Sequence, residues 1–547
     1  MRHFASPTDT VPSDAPGIDE IGFVVPDQYN ASAILFDNLS RGRSDHPAVI
    51  GAFGAVSYKQ LCDQACQFGN ALLDQGLVFG DRVLLFLDDT PVYPAVLFGA
   101  MRAGLVPLLV NTLTPPDLIN FYLKDSSARV VVADAAFAER FTQDACNGTE
   151  LELLVIANGD APAGSPVKTE SVAGFLAGHS NELAVAATHR NDMAFWQYSS
   201  GSTGKPKGIV HLQHDMLYTA KAYGERVLDI APDDICFSVP KIFFAYGLGN
   251  SLTFPFSVGA TSILLAGQPK AEPVLEAIAR HRPTLFFGLP TLYNFLVNAN
   301  QAKQTDYSSI RLCLSAAEVL SPDVADAWTS LTGLDILEGL GSTEVLHIYL
   351  SNTPDQKKVG AAGLRVPGYE IALRDLDGNY VAEGDEGILW VRGDSNAPAY
   401  WNRPDKTADT MREGGWIYTG DRMKKDPEGF YHFLGRADDL VKVSGQWVYP
   451  LEVELCVTDH ALVRECAVLA LEMPDRRMTL HAYVVLNETD IDQGAAATTL
   501  KDYVKGALLP YKYPRKVIFM DVLPKTGTGK IDRQKLKAMD LADARVF

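Results

Sequence analysis

The chain of 547 residues carries 67 acidic against 48 basic side chains, a formal net charge of −19, with 47% hydrophobic and 21% charged residues. A chain this long exceeds what one hydrophobic core fills, so two or more domains are expected, and its acidic balance excludes binding nucleic acid through a broadly basic surface. Neither a long apolar run nor a basic segment leading into an apolar one opens it, which predicts a cytoplasmic protein with no membrane partner.

The first twenty or so residues, rich in Pro, Ser and Asp, read as a loose arm. From about Ala48 an α/β pattern begins. "YKQLCDQACQFGNALLDQG" has helical spacing, "RVLLFLD" reads as a strand, "PAVLFGAMRAG" as a helix, and "VPLLVN" and "ARVVVAD" as strands. Short apolar strands between helices imply parallel sheets covered on both faces. Beyond about Gly360, "YEIALRDLDGNYV" and "GILWVRG" alternate as antiparallel strands do, with "LDGN" as the turn. The best boundary lies in "FLGRADDLVKVSGQWVYPLEVE": a strand ends at Gly435, charges gather at Arg436, Asp438 and Asp439, and Pro450 opens a helix. About 110 residues follow, enough for a small α+β domain.

Seven cysteines, Cys62, Cys66, Cys146, Cys236, Cys313, Cys456 and Cys466, offer no second close pair to complete a zinc-type set and read as buried thiols. Basic residues gather near the C-terminus, at Lys512, Arg515, Lys516, Lys525, Lys530, Arg533, Lys535 and Lys537, where a small anion can be met locally despite the acidic total.

The stretch "WQYSSGSTGKPKGIVH", Trp196 to His211, has the composition of a phosphate loop without the spacing of a Walker loop: Lys205 follows Gly204, precedes Pro206, and the previous glycine is Gly201. Pro206 disfavours helix at Lys205, so the loop is expected to join two strands, "MAFWQYS" and "GIVHL". Glycines let backbone N–H groups turn toward an anion, Ser199, Ser200, Ser202 and Thr203 add donors, and Lys205 adds a charge. Taken alone, the stretch reads equally as a solvated polar hairpin. "PKTGTGKIDR" is a second Walker-like segment, but Pro524 stands where the first glycine belongs, and Lys530 alone reads as a surface lysine.

Order decides between these readings. The chain carries "YSSGSTGKPKG" at 198–208, "GLGSTE" at 339–344, "YTGD" at 418–421, "GRADDLVKVSG" at 435–445 and "PKTGTGKIDR" at 524–533. This series resembles the adenylate-forming superfamily of acyl- and aryl-CoA synthetases, peptide-synthetase adenylation domains and luciferases, over nearly the whole chain. The resemblance implies an α/β fold. A large N-terminal domain, 1–437, would combine parallel and mixed sheets, helices and a β-barrel-like part, followed by a small mobile α+β domain, 438–547. It implies ATP, Mg²⁺ and coenzyme A: a carboxylate would attack the α-phosphate, expel pyrophosphate, and the acyl-adenylate would be cleaved by a thiol. Uniting two anions calls for charge neutralisation and in-line positioning.

By the same resemblance, the loop Ser199, Ser200, Gly201, Ser202, Thr203, Gly204 and Lys205 would hold the β- and γ-phosphates, with Thr203 touching them. Thr343 would meet the α-phosphate and Glu344 the Mg²⁺, a hard cation wanting oxygen. Asp421 would accept from both ribose hydroxyls, assisted by Arg436. Adenine would lie against Ala316, Ala317 and Glu318 and against Glu338, Gly339 and Leu340. Lys530 would reach the α-phosphate and the attacking carboxylate, Asp438 would be the hinge, and Gly445 would form the wall of the pantetheine tunnel, where a missing Cβ leaves room.

"FVVPDQYNAS", "VPKIFFAYGLGNSLTFPFSVGA" and "STEVLHIYLSN" look like the corresponding segments of benzoate-CoA ligases. Many superfamily members place a histidine after the proline of the second segment; here Lys241 follows Pro240, which favours an aromatic acid. Phe244 and Tyr246 would offer ring faces and Ala245 space, with Gly341, His347 and Ile348 completing a flat apolar slot, and Phe243 reads as core. The expected activity is an ATP-dependent aryl-CoA ligase acting on benzoate. Hydroxy-, amino- or fluorobenzoates stand as alternatives, as does a stand-alone enzyme loading an aryl acid onto a carrier protein, and a homodimer is left open. A nucleotide sensor that keeps only the fold would have lost Thr203, Glu344, Asp421, Arg436 or Lys530, and all are present.

Overall fold

The computed structural model describes residues 22–199, 206–437, 441–443, 446–473, 478–487, 491–509, 511–525, 531–539 and 545–546. The chain divides into two units, Met1–Ala372 with Trp390–Thr419, and Leu373–Leu389 with Gly420–Phe547. The first is built on two sheets. One has seven strands in the order Lys168–Ser171, Leu153–Ala157, Val130–Asp134, Arg82–Phe86, Val106–Leu109, Met193–Ser199 and Lys207–Leu212, all parallel except the last, which turns back antiparallel.

The unbroken apolar runs in this sheet follow from burial on both faces. Val83 and Leu85, Val130 and Val132, and Leu153 and Val155 enter one core with the helices Tyr58–Asp74 and Val92–Arg102. Their neighbours Leu84 and Phe86, Val131 and Ala133, and Leu154 and Ile156 enter the core on the opposite face. The helix Tyr58–Asp74 starts where a capping box starts it: Ser57 Oγ accepts from the Gln60 N–H while the Gln60 side chain accepts from the Ser57 N–H.

The second sheet has nine strands, ordered Leu364–Arg365, Ile348–Ser351, Ile336–Gly341, Leu312–Ser315, Leu285–Gly288, Ile235–Ser238, Thr261–Ile263, Pro47–Gly51 and Gly54–Ser57. The strands from Ile336–Gly341 to Pro47–Gly51 are parallel, and the flanking ones antiparallel. In a parallel sheet all carboxyl ends share one edge, which is where α/β folds bind ligands.

In the second unit, Val463–Glu472, Met478–Leu486, Lys516–Phe519 and Arg545–Val546 form a four-stranded mixed sheet. Val468, Leu480, Ala482 and Val517 pack on one face against Val453 and Val457 of the helix Pro450–Thr458 and Leu500 and Val504 of the helix Gln493–Ala507. Ala467, Leu469, Tyr483 and Ile518 form a smaller core with Leu523 and Leu536 on the other face. The C-terminal basic cluster is partly neutralised here: Lys512 pairs with Glu452 at 2.6 Å, Arg533 with Glu454 at 2.8 Å, and Lys525 with Glu465. All seven cysteines are free. Among the described residues no helix is long and apolar enough to cross a membrane.

Candidate functional site

The sequence-derived candidates in the first unit fall where the parallel strands end. Ala316, Ala317 and Glu318 follow the strand Leu312–Ser315, whose Ser315 lies in register with Glu338 of the adjacent strand Ile336–Gly341. Ala317 has φ +70°, a left-handed conformation that costs a side-chain-bearing residue about 1 kcal/mol and that clusters at functional positions. Glu318 Oε2 accepts from Thr291 Oγ1 at 2.7 Å. Burial pushes the Glu338 carboxyl up to about 7, although Oε2 accepts from the Gly360 N–H at 3.1 Å.

Gly339, Leu340 and Gly341 pair antiparallel with Ser351, Leu350 and Ile348 on the other side. A Cβ on Gly341 would stand 2.5 Å from the His347 carbonyl oxygen, so only glycine allows this approach. The chain then makes a short 3₁₀ turn, Thr343–Val345, that presents Thr343 and Glu344 at the strand end. Each carbonyl of this turn is held from elsewhere. His211 Nε2 donates to Thr343 O at 2.9 Å, the Ala397 N–H to Glu344 O at 2.8 Å, and Ser395 Oγ to Val345 O at 2.9 Å. The Glu344 side chain is fixed as well, Oε1 accepting from the Tyr400 hydroxyl at 2.8 Å. A half-buried carboxylate steadied by a phenol is an oxygen donor of the kind Mg²⁺ takes alongside substrate phosphates.

Ser199 ends the strand Met193–Ser199, in register with Lys207 on the return strand, so the loop between them joins two antiparallel strands as its proline predicts. Gln197 of the first strand donates from Nε2 to the Phe243 carbonyl at 3.3 Å, tying this hairpin to the segment that carries the aromatic candidates.

Phe243 is core, as its sequence context suggests, and Phe244 packs against it with ring centroids 4.6 Å apart. Ala245 and Tyr246 open the short helix Ala245–Leu248. The Tyr246 ring lies 5.5 Å from His347, whose Nε2 is 3.3 Å from the Tyr246 carbonyl, and Phe254 and Tyr223 close round the same imidazole at 4.5 and 5.4 Å. Burial lowers the His347 pKa to about 3, so the ring is neutral at physiological pH. Ile348, buried beside it, faces Gly341 across the strand pair. Tyr246, Gly341, His347 and Ile348 thus meet, whereas Phe244 sits in the Phe243 contact.

In the second unit Asp421 and Arg436 are register partners on a hairpin, and Arg436 Nη1 donates to Asp421 Oδ1 at 2.7 Å. Gly420 before them has φ +73°, and a Cβ there would meet Arg436 Nη2 at 2.8 Å. Ser200, Gly201, Ser202, Thr203, Gly204, Lys205, Asp438, Gly445 and Lys530 lie outside the described residues. Sequence reasoning missed Tyr400, Ser395, Gln197 and His211, although His211 closes the glycine-rich stretch; an imidazole among the apolar residues Ile209, Val210 and Leu212 was the available signal.

The family described as AMP-binding enzyme matches residues 36–401, and the AMP-binding enzyme C-terminal domain matches 452–530. The chain is 42% identical to the benzoate--CoA ligase of Thauera aromatica over 94% of its own length and 97% of that protein's. It is 40% identical to the 4-hydroxybenzoate--CoA/benzoate--CoA ligase of Rhodopseudomonas palustris, covering 94% of each. The crystal structure of the anthranilate CoA ligase AuaEII in complex with anthranoyl-AMP superposes with a TM-score of 0.87 at 36% identity, covering 94% of this chain and 98% of that one. With matches of this extent on both units, the chain belongs to the AMP-binding, adenylate-forming enzyme family.

Proposed function

We propose that this protein is an ATP-dependent aryl-CoA ligase that converts benzoate to benzoyl-CoA through benzoyl-adenylate, releasing AMP and pyrophosphate. The observation that carries the reading is the neutral, ring-lined wall of Tyr246 and His347 one residue from Ile348 and close to the Thr343–Glu344 turn. An uncharged wall of ring faces suits an aromatic acid, and its place beside the turn supports a carboxylate directed at a bound triphosphate.

In this reading a benzoate oxygen attacks the α-phosphorus in line. The new P–O bond forms as the bridging bond to the β-phosphate breaks, and pyrophosphate leaves with the electron pair. Thr343 and Lys530 steady the α-phosphate, Thr203 and the rest of the 199–205 loop hold the outer phosphates, and Asp421 with Arg436 orients the ribose. Glu344 would supply an oxygen to hold Mg²⁺, which when bound would neutralise phosphate charge. The CoA thiol, reaching past Gly445, then attacks the acyl carbon, AMP departs, and the thiol proton passes to solvent. Residues 438–547 form the part that turns on Asp438 between the two half-reactions. The protein acts in the cytoplasm, alone or as a homodimer.

Similarity to a ligase that takes both 4-hydroxybenzoate and benzoate, and to an anthranilate ligase, supports hydroxy- and aminobenzoates as the alternative acids. A panel of benzoate and its hydroxy, amino and fluoro derivatives, monitored by AMP release with and without CoA, tests both. Benzoate is expected to give the highest kcat/KM, with sustained AMP release only when CoA is present. Adenylate formation with no thioester made from CoA would instead indicate a carrier-protein loading enzyme.

A further inference from the structure

We propose that His211, held by Asp215, is a positioning residue that locks the Thr343–Glu344 main chain to the strand Lys207–Leu212, so that this turn keeps one position during adenylate formation. The proposal rests on the functional reading of Thr343 and Glu344 given above.

His211 lies on the strand Lys207–Leu212, the return strand of the seven-stranded sheet. Thr343 follows the strand Ile336–Gly341 of the nine-stranded sheet. The 2.9 Å bond from His211 Nε2 to Thr343 O therefore joins the two sheets where each delivers part of the site. A backbone carbonyl carries no proton, so Nε2 is the donor. The other ring nitrogen, Nδ1, lies 2.8 Å from Asp215 Oδ2, which also accepts from the Leu212 N–H at 3.0 Å. Phe195 stacks on the imidazole with centroids 5.0 Å apart and planes 21° apart, which removes the remaining freedom of the ring.

Both His211 and Asp215 are fully buried. Placing an imidazole and a carboxylate there is less favourable than placing two apolar side chains, unless a directional donor is needed. Asp215 is held through Oδ2; its Oδ1 lies 3.3 Å from His214 Nδ1 without a hydrogen bond, and the same His214 nitrogen is 3.6 Å from Asp394 Oδ2, which is ion-paired with Arg190. With both ring nitrogens engaged by protein groups, His211 acts on the reaction through the Thr343 main chain and touches no reacting atom.

The amide nitrogen of glutamine reaches about where Nε2 of histidine lies, and that of asparagine about where Nδ1 lies. H211Q thus keeps a donor for Thr343 O and loosens Asp215, whereas H211N does the reverse. Both full-length variants would be compared with the wild type in pyrophosphate exchange with the preferred aryl carboxylate, in thiolysis of supplied aroyl-adenylate, in melting temperature and in calorimetric binding of a non-hydrolysable ATP analogue. H211N is expected to lower the exchange kcat about 100-fold, as a misplaced reacting geometry does, with thiolysis unchanged and analogue binding weakened; H211Q is expected to recover most of that loss. Equal effects of the two substitutions, or equal losses in both half-reactions, would overturn the proposal. Should either variant lose its cooperative melt, Ser395→Ala, which frees the Val345 carbonyl of the same turn, decides: exchange lost with thiolysis kept supports the clamp, and parallel loss or no loss overturns it. A wild type that exchanges no pyrophosphate with any aryl acid of the panel overturns the functional reading and this proposal with it.

Discussion

The Tyr400 hydroxyl donates to Glu344 Oε1 at 2.8 Å, fixing one carboxylate oxygen from a residue 56 positions away. An outer partner of this kind orients a metal-binding carboxylate, and its removal typically weakens metal binding 10- to 100-fold. Tyr400→Phe is therefore expected to raise the Mg²⁺ concentration for half-maximal pyrophosphate exchange by roughly tenfold or more, leaving thiolysis of supplied adenylate unchanged. An unaltered Mg²⁺ titration would mean that the phenol does not serve Glu344.

The aromatic wall can be disturbed without touching it. Gly249 has an ordinary helical φ of −59°, but a Cβ there would stand 2.4 Å from His347 Cδ2 and 2.5 Å from Nε2. Gly249→Ala must push the imidazole off the Tyr246 carbonyl, at a cost of about 1–3 kcal/mol for overpacking. The KM for benzoate should rise strongly while that for ATP stays within about twofold, because overpacking acts locally. Steady-state kinetics with each substrate varied in turn checks this, and a normal benzoate KM would remove His347 from the slot.

The segment leading to the aromatic candidates is held by two carboxylates, of which Asp89 is buried. Asp89 Oδ1 accepts from the Ile242 N–H at 3.2 Å, and Lys241 Nζ donates to Asp88 at 2.6 Å. Burial raises the Asp89 carboxyl to about 7. The folded state thus holds a proton that the unfolded chain releases near pH 4, so stability falls as pH rises from about 4 to about 7 and stays lower above that. Asp89→Asn keeps an acceptor for Ile242 and removes the penalty. It should stabilise at pH 8.5 by on the order of 2 kcal/mol more than at pH 5. Melting curves at the two pH values suffice; an equal shift at both would mean that Asp89 ionises normally.

Lys530 lies outside the described residues, and its role rests on its place in "PKTGTGKIDR". Lys530→Ala is expected to depress adenylate formation by about 100-fold or more while sparing CoA transfer from supplied benzoyl-adenylate, since a group in place for one half-reaction leaves the other intact. Single-turnover measurement of each half-reaction separates the two, and matched losses would argue against a residue that serves only one.

Local chemistry made much of the fold legible. The helical spacing of Tyr58–Asp74, the proline opening Pro450–Thr458, and the apolar runs of Arg82–Phe86 and Val130–Asp134 all act within a few residues, and the elements formed there. So did the antiparallel return after Pro206, because a proline constrains its neighbour. The clamps on the site were not legible, because nothing near Ser395, Ala397 or Tyr400 in the sequence specifies that they meet Val345 and Glu344. His211 and Asp215 show a helical i, i+4 spacing that any surface pair can share; their burial and the Thr343 carbonyl between the sheets give the spacing its meaning.

The His211–Thr343 bond spans 132 residues and the Arg190–Asp394 pair 204. Contacts so distant along the chain must first meet the entropy of closing long loops, so they form late in folding and make it slow. A chain with one sheet assembled and the other still open therefore lacks the His211–Thr343 bond. A ligand that recognises only the finished arrangement shifts the equilibrium of both sheets together, by an amount that grows with the logarithm of its concentration above Kd. A nucleotide analogue that raises the melting temperature is thus expected to report, in one measurement, that two separately built sheets have reached their common register.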